Sequence, residues 1–295
     1  MYKSFYSLKR NPFEITPDPF FLFSTKQHNE ALASLYYGVK RRKGFVVLTG
    51  EVGTGKTLLV SCLLQLLSNA KVTYAYVFNP RLSASDFLHY IAGDFGLSTA
   101  GKTKGDLLLD LSNFLIARHK QGLTTVLIVD EAHHLSSDVL EEIRLLTNLE
   151  TPQEKLLQIL LVGQQELDGK LDTIELRQLK QRIVLRSQLK PLDIDETCRY
   201  VYRRLELAGC ANPSQLMPLE TILEVHRQSR GLPRLINILC ENALIQGYGR
   251  ESRVITPDII EEIATEFRLN VVKPTPSAGT LQAGQAARVA NTLSD

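Results

Sequence analysis

Short, nearly continuous apolar runs punctuate the first two thirds of the chain, with helical periodicities between them. GFVVLTG at 44–50, VTYAYVF at 72–78, TTVLIVD at 124–130 and LLQILLVG at 156–163 carry few polar positions, and IVLRSQL at 183–189 closes the series. Successive residues of a strand point to opposite faces, so a run apolar at every position predicts a strand covered on both sides, as in a parallel sheet between helices. Ala31, Leu32, Leu35, Tyr36 and Val39 recur at helical spacing and predict an amphipathic helix over 28–42, while TLLVSCLLQLLS predicts another directly after the first strand. The pattern reads as α/β and doubly wound.

Beyond the last strand only helical patterns remain. DIDETCRYVYRRLELAGC, PLETILEVHRQSRG, LPRLINILCENALIQGYGR and TPDIIEEIATEF each carry an Asp, Pro or Gly signal for a start or stop. The expected organisation is an N-terminal segment at 1–27, an α/β domain at 28–190, an all-helical domain at 191–269 and a tail at 270–295. Pro and Phe punctuate the first 22 residues like a loop that packs aromatic rings on a larger body. The tail is poor in large apolar side chains, which predicts mobility.

Composition narrows the function. The 295 residues are 44% hydrophobic, with 34 Lys and Arg against 32 Asp and Glu, a formal charge of +2. That balance argues against a chain built wholly around nucleic acid. The basic run KRRK at 40–43 reads first as a solvated helix end. Cys62, Cys198, Cys210 and Cys240 form no CxxC pair and read as small core residues. No apolar run approaches the roughly 20 residues that span a bilayer, and Pro, Glu and Asp interrupt the N-terminus where a signal peptide would be continuous. A cytoplasmic protein is expected.

GEVGTGKT, running Gly50, Glu51, Val52, Gly53, Thr54, Gly55, Lys56, Thr57, lies between a predicted strand and a predicted helix, and these residues with Leu58 are the expected nucleotide contacts. Glycines in such a loop let backbone N–H groups converge on a phosphate, and the following helix adds the positive end of its dipole. Lys56 then meets the β- and γ-phosphates of a nucleotide, and the Thr57 hydroxyl meets Mg2+. LIVDEA, Leu127 to Ala132, ends a strand on two carboxylates, at the strand end where open parallel sheets bind ligands. Asp130 is the expected holder of Mg2+, and Glu131 the group that orients or deprotonates the attacking water. His133 and His134 follow directly; adjacent side chains at such a junction are expected to diverge, which argues against a zinc site. Ser61, Ser136 and Ser137 lack a hydrolase triad pattern.

Together with FYSLKRNPFEITPDPFFLF, LIVDEAHHL, LEEIRLLTNLET, ILLVGQQEL, LRQLKQRI and GLPRLIN, these motifs resemble the AAA+ ATPases of the general secretion pathway protein A (ExeA-like) family, over about residues 1–268. The resemblance implies a P-loop sheet domain followed by a helical lid, with ATP and Mg2+ as ligands; the lack of an NKxD guanine reader agrees with ATP. It implies that Gln164 senses the γ-phosphate, that Arg234 in GLPR links the lid to nucleotide state, and that Arg177 or Arg182 is an arginine finger reaching a neighbouring subunit's site. It also puts Pro12 and Phe13, with Asn11, beside the adenine; the same residues could instead staple the N-terminus to the core, and the two readings weigh about equally.

The implied setting is a homo-oligomeric ring or filament serving an envelope secretion, pilus or exopolysaccharide system, in the cytoplasm or peripheral at the inner membrane through a partner. Longer relatives add a transmembrane helix and a peptidoglycan-binding module, and the expectation here is a short form without either. Two other functions compete. One is a transposition-helper ATPase contacting DNA through KRRK, Arg203 and Arg204; the other is a scaffold that binds ATP and changes shape without useful turnover.

Overall fold

One parallel sheet organises the first part of the computed structural model, which describes residues 1–16, 18–68, 71–78 and 80–269. Its strands are β1 (Phe45–Gly50), β2 (Val72–Val77), β3 (Thr124–Val129), β4 (Leu157–Gly163) and β5 (Leu185–Leu189), ordered β2-β3-β4-β1-β5. The central strands β1 and β4 are buried at every position, as their apolar runs require. Edge strand β5 alternates in exposure because only one of its faces is well covered. Leu48 of β1 lies between Val162 of β4 and Ser187 of β5, so strand ends 1, 3 and 4 open on the same edge.

Alternation sends neighbouring residues to two different cores. Phe45, Val47, Leu127, Val129, Ile159 and Leu161 join Phe87 and Ile91 of α4 (Ala84–Asp94), Leu111 and Leu115 of α5 (Lys104–Lys120) and Ile143 of α6 (Ser137–Leu146). Val46, Leu48, Val126, Ile128, Leu160 and Val162 face Leu35 of α2 (Lys26–Lys40) and Leu59 and Leu63 of α3 (Lys56–Leu67). Short helices α7 (Glu166–Leu171) and α8 (Arg177–Lys180) connect β4 to β5. The predicted helix at 28–42 starts and ends two residues earlier: Thr25 caps it by accepting from the His28 N–H, and Arg41 leaves the helix.

A helical region follows, with α9 (Ile194–Leu207), α10 (Pro213–Leu216), α11 (Leu219–Ser229), α12 (Pro233–Gly249) and α13 (Pro257–Glu266). Asp193 and Glu196 form a reciprocal cap at the start of α9. The expected tail at 270–295 lies outside the described residues. Among the described residues no helix is long and apolar enough to cross a membrane. All four cysteines are free, Cys62 and Cys240 buried and Cys198 and Cys210 half-buried.

The N-terminal segment has more structure than its punctuation predicts. A first helix, α1 (Tyr2–Phe5), packs on α12, and Tyr2, Tyr6, Leu8 and Phe13 belong to the same core as Ile236, Leu239 and Ile260. The Tyr2 hydroxyl donates to Glu241 at 2.8 Å, the Tyr6 hydroxyl to the Ser252 carbonyl at 3.0 Å, and the Lys9 N–H to the Ala208 carbonyl at 2.7 Å. From there the chain passes to a 3-10 turn at Pro19–Phe21 and into α2 of the sheet domain. Near its entry, Gln27 clasps Lys190, donating to its carbonyl at 3.1 Å and accepting from its N–H at 2.9 Å. The two places where the chain passes between sheet and helical region are thereby tied together.

Candidate nucleotide site

At Gly50 the backbone leaves β1, turns through Glu51–Gly55 and enters α3 at Lys56. Gly53 and Gly55 hold φ of +84° and +96°, a left-handed conformation that side chains disfavour. Lys56 Nζ donates to the carbonyls of Gly50 at 2.9 Å and Glu51 at 2.8 Å, closing the loop on itself. Burial pushes the Lys56 ammonium below its ordinary pKa, while Glu131 and Asp130 oppose that shift. Beneath the loop the His28 N–H donates to Thr25 Oγ1, the Thr25 hydroxyl donates to His28 Nδ1 at 2.7 Å, and Nε2–H donates to the Thr54 carbonyl at 3.3 Å. Burial lowers the His28 pKa, which favours the neutral ring this chain of bonds needs.

Across the loop, Asp130 follows β3 and anchors its own N–H on the Val77 carbonyl at 3.0 Å. Its Oδ2 accepts from the Thr57 hydroxyl at 3.0 Å and from the Tyr76 hydroxyl at 3.0 Å, and its Oδ1 accepts from the Glu131 N–H at 2.8 Å. Sequence reasoning misses Tyr76, because an aromatic residue inside an apolar run carries no sign of which group its hydroxyl will meet. Burial, and then the Asp130 carboxylate, push its phenol far above the ordinary range. Thr57 and Asp130 offer hard oxygens side by side, a donor set suited to Mg2+ and ill suited to softer metals. Glu131 adopts a left-handed backbone with φ 52° and leaves its carboxylate half exposed on the cleft.

The cleft has a volume of about 460 Å³ and runs from this carboxylate to the helical region. Gln164, the residue after β4, and Arg234, on the first turn of α12, both line it. The Arg234 N–H donates to the Gly53 carbonyl at 3.2 Å, and a Cβ on Gly53 would stand 2.7 Å from Arg234 Cβ, so α12 rests directly on the loop. Ile15, Thr16, Asp18, Tyr200 and Asn237 also line the cleft.

Several expected placements change. Phe13 is fully buried in the helical core and Pro12 gives its carbonyl to Arg204 Nε, so neither lines the cleft; Glu14 and Ile15, just after them, do. The stapling role is the one these side chains fill. Arg204 is buried, donates to the Tyr200 hydroxyl at 2.8 Å and lies 4.7 Å above the Phe21 ring, which removes it as a surface contact for DNA. Arg203 is exposed and faces Glu206 at 3.3 Å. Within KRRK, Arg42 pairs with Glu154 at 2.6 Å, and Lys40 and Lys43 lie over the rings of Tyr36 and Tyr37. His133 and His134 do not diverge: their ring centroids are 4.0 Å apart, and with Glu131 they bring three donor atoms within 4.8 Å of one another.

Neither expected finger lines the cleft of its own chain. Arg182 Nη1 donates to Thr147 Oγ1 at 2.8 Å, whereas Arg177 is exposed at the start of α8 and its side chain makes no hydrogen bond or ion pair among the described residues.

Residues 39–171 match a family described as AAA domain. General secretion pathway protein A of Aeromonas hydrophila is 43% identical over 294 residues, which are 99% of this chain and 52% of that protein. The chain thus spans about half the length of that relative. ATP-dependent target DNA activator B of Escherichia phage Mu is 25% identical over 233 residues, 78% of this chain and 68% of that protein. Among solved structures, the ORC2 protein of Aeropyrum pernix aligns with a TM-score of 0.65 at 18% identity, covering 90% of this chain and 75% of the other, a likeness of fold.

Proposed function

We propose that this chain, 43% identical to general secretion pathway protein A over 99% of its length and matching an AAA domain, is an AAA+ ATPase of that family and hydrolyses ATP in the cleft between Lys56 and Glu131. The observation that carries the proposal is the 3.0 Å contact between the Thr57 hydroxyl and Asp130, beside an ammonium whose acceptors among the described residues are loop carbonyls. Each is a group that a magnesium nucleotide can use. Backbone N–H groups of the loop and the start of α3 would hold the β-phosphate. Lys56 would exchange the carbonyls of Gly50 and Glu51 for phosphate oxygens, a stronger charge-assisted bond. Thr57 and Asp130 would hold Mg2+, whose role when bound is to neutralise charge on the phosphates.

Glu131 is the base: its half-exposed carboxylate faces the cleft and accepts a proton from water positioned for in-line attack. The Gln164 amide can donate to the γ-phosphate. Arg234 would read nucleotide state into the helical lid, through a helix already in contact with Gly53. Ile15, Thr16, Tyr200 and Asn237 would enclose the base and ribose. Arg177, exposed and unpaired, is better suited than Arg182 to enter a neighbouring subunit in a ring or filament. The energy would serve assembly or remodelling in an envelope secretion, pilus or polysaccharide-export system, from the cytoplasm and against the inner membrane through a partner protein; the similarity to general secretion pathway protein A supports this setting.

Phosphate release and nucleotide binding test the proposal together. Lys56→Ala should lose ATP binding, and Glu131→Gln should keep ATP but stop turnover. Equal ATP affinity in Lys56→Ala and wild type would refute the phosphate site; equal phosphate release in Glu131→Gln and wild type would leave a nucleotide-gated scaffold. A second reading, DNA-dependent ATPase activity, is favoured by the likeness to target DNA activator B. It requires DNA affinity that falls steeply with salt.

A further inference from the structure

No bond to the Glu131 side chain accounts for its facing the cleft. Among the described residues the carboxylate makes no hydrogen bond, and Oε2 stands 3.5 Å from His133 Nδ1, so the backbone sets its direction. Glu131 is held at φ 52°, in the left-handed region that persists only where the surroundings impose it. The 3-10 turn Ala132–His134 follows at once: the His134 N–H donates to the Glu131 carbonyl at 2.9 Å, and the Leu135 N–H to the Ala132 carbonyl at 3.1 Å. Those bonds leave over the carbonyls of His133 and Leu135. Lys170 of α7 takes both, its Nζ donating at 2.6 Å and 2.7 Å, and no carboxylate among the described residues pairs with it. The Gln164 N–H adds a longer bond to His133 Nδ1, at 3.4 Å, and Gly163 leaves room for the turn, since a Cβ there would lie 3.2 Å from the His133 nitrogen.

The same short helix is fastened to the strand that carries the phosphate loop. Asp168 Oδ2 accepts from the Thr49 hydroxyl at 3.0 Å, and its Oδ1 pairs with Arg186 of β5. Thr49 is fully buried and directly precedes Gly50, where the loop begins. Leu167 and Leu171 are buried in the sheet core, which fixes how α7 is rolled. Residues two apart on a helix point to nearly opposite sides. Asp168 and Lys170 therefore reach in different directions from one rigid piece, the first to the end of β1 and the second to the turn after β3.

Resting on the hydrolytic reading above, we propose that α7 is a brace setting the distance between the phosphate loop and the base, with Lys170 the positioning residue that holds Glu131 in place. The triphosphate is gripped on the β1 side, by Lys56 and the loop; water is activated on the β3 side, by Glu131. In-line attack tolerates little error between the two, and a displacement of about 1 Å can cost about a hundredfold in rate. β4 stands between β1 and β3, so no strand pairing joins the two segments directly. Asp168 and Lys170 close that gap through the helix that follows β4. Two charge-assisted bonds from one ammonium hold the turn, and Lys170 itself touches neither nucleotide nor water in this role.

Lys170→Met keeps an apolar stem and removes both bonds to the turn. The expected result is a kcat about tenfold lower, with KM for ATP and affinity for a non-hydrolysable ATP analogue within about twofold of wild type. In a Glu131→Gln background the same change should lower the residual turnover no further, because Lys170 acts through that carboxylate. A kcat within about twofold of wild type overturns the proposal. So does a loss of analogue affinity that matches the loss of rate, or an equal proportional loss in both backgrounds, which is what a general weakening of the fold produces. Thr49→Val tests the other attachment of the brace and carries the test if Lys170→Met does not fold: kcat should fall about threefold with KM unchanged, and an unchanged kcat refutes the brace. Hydrolysis by wild type that falls steeply in Glu131→Gln keeps a failure here distinct from a failure of the hydrolytic reading.

Discussion

Removing one oxygen atom at Tyr76 tests whether Asp130 is held for its task before any nucleotide arrives. In Tyr76→Phe the ring stays in its buried place, stacked 4.2 Å from Phe78, and only the hydroxyl that donates to Asp130 Oδ2 is lost. A hydrogen bond to a charged group contributes roughly 1.5–3 kcal/mol. The lower end applies, because Oδ2 keeps the Thr57 hydroxyl at 3.0 Å and Oδ1 keeps the Glu131 N–H at 2.8 Å, so the carboxylate is not left bare. The expected loss is about 1.5 kcal/mol of unfolding free energy for the sheet domain, a fall in Tm of about 3–6 °C for a unit of this size. Circular dichroism during urea and thermal unfolding measures it.

The functional counterpart is selective. ATP affinity in EDTA should be unchanged, since the loop and Lys56 are untouched, whereas the Mg2+ concentration giving half-maximal turnover should rise about threefold to tenfold, or roughly 1 kcal/mol. A variant as stable as wild type with an unchanged Mg2+ requirement would refute the view that the phenol orients Asp130. Weakened ATP binding in EDTA would also count against it, by showing that the substitution disturbs the phosphate loop.

The two arginines at α8 should separate cleanly. Arg182→Ala loses a bond to Thr147 and is expected to lower Tm, while Arg177→Ala should leave Tm unchanged yet reduce turnover, with partial recovery on mixing with Lys56→Ala subunits; no recovery at any ratio would exclude action in trans. Gly53→Ala meets both a positive φ and a 2.7 Å approach to Arg234 Cβ, and should cost at least about 1 kcal/mol of stability and weaken nucleotide binding, read by melting and by fluorescent-nucleotide titration. His28 is buried with its pKa lowered, so below about pH 6.5 the unfolded chain binds a proton that the native ring refuses. Stability therefore falls with pH below that point, by up to about 1.4 kcal/mol per unit, and His28→Gln should flatten part of the slope in acid titrations of urea unfolding.

The sheet is legible because burial on both faces leaves few polar positions in β1, β3 and β4, and the phosphate loop because its glycines answer to backbone geometry. The pattern names no element between 79 and 123, where α4 and α5 lie, although Ser83 with Asp86 and Thr103 with Asp106 are caps written in sequence. Phe13 could not be placed, since aromatic spacing says that a ring is buried and not against what. Tyr76 and His133 were out of reach for a related reason: their partners, Asp130 and Gln164, meet them only because adjacent parallel strands end side by side.

The clasp between Gln27 and Lys190 bears on how the helical region can move. That region is fed by two spans of chain, one arriving from its N-terminal strap and one leaving the sheet after β5, and both pass the same clasp. Two tethers fixed far apart would permit only swinging about the line between them; two tethers fixed together behave as a single fulcrum. A tilt that lifts the start of α12 from Gly53 must then turn the whole helical body about Lys190, with Tyr2 and Phe13 carried along inside it. Any subunit seated against the N-terminal strap would feel the nucleotide as leverage.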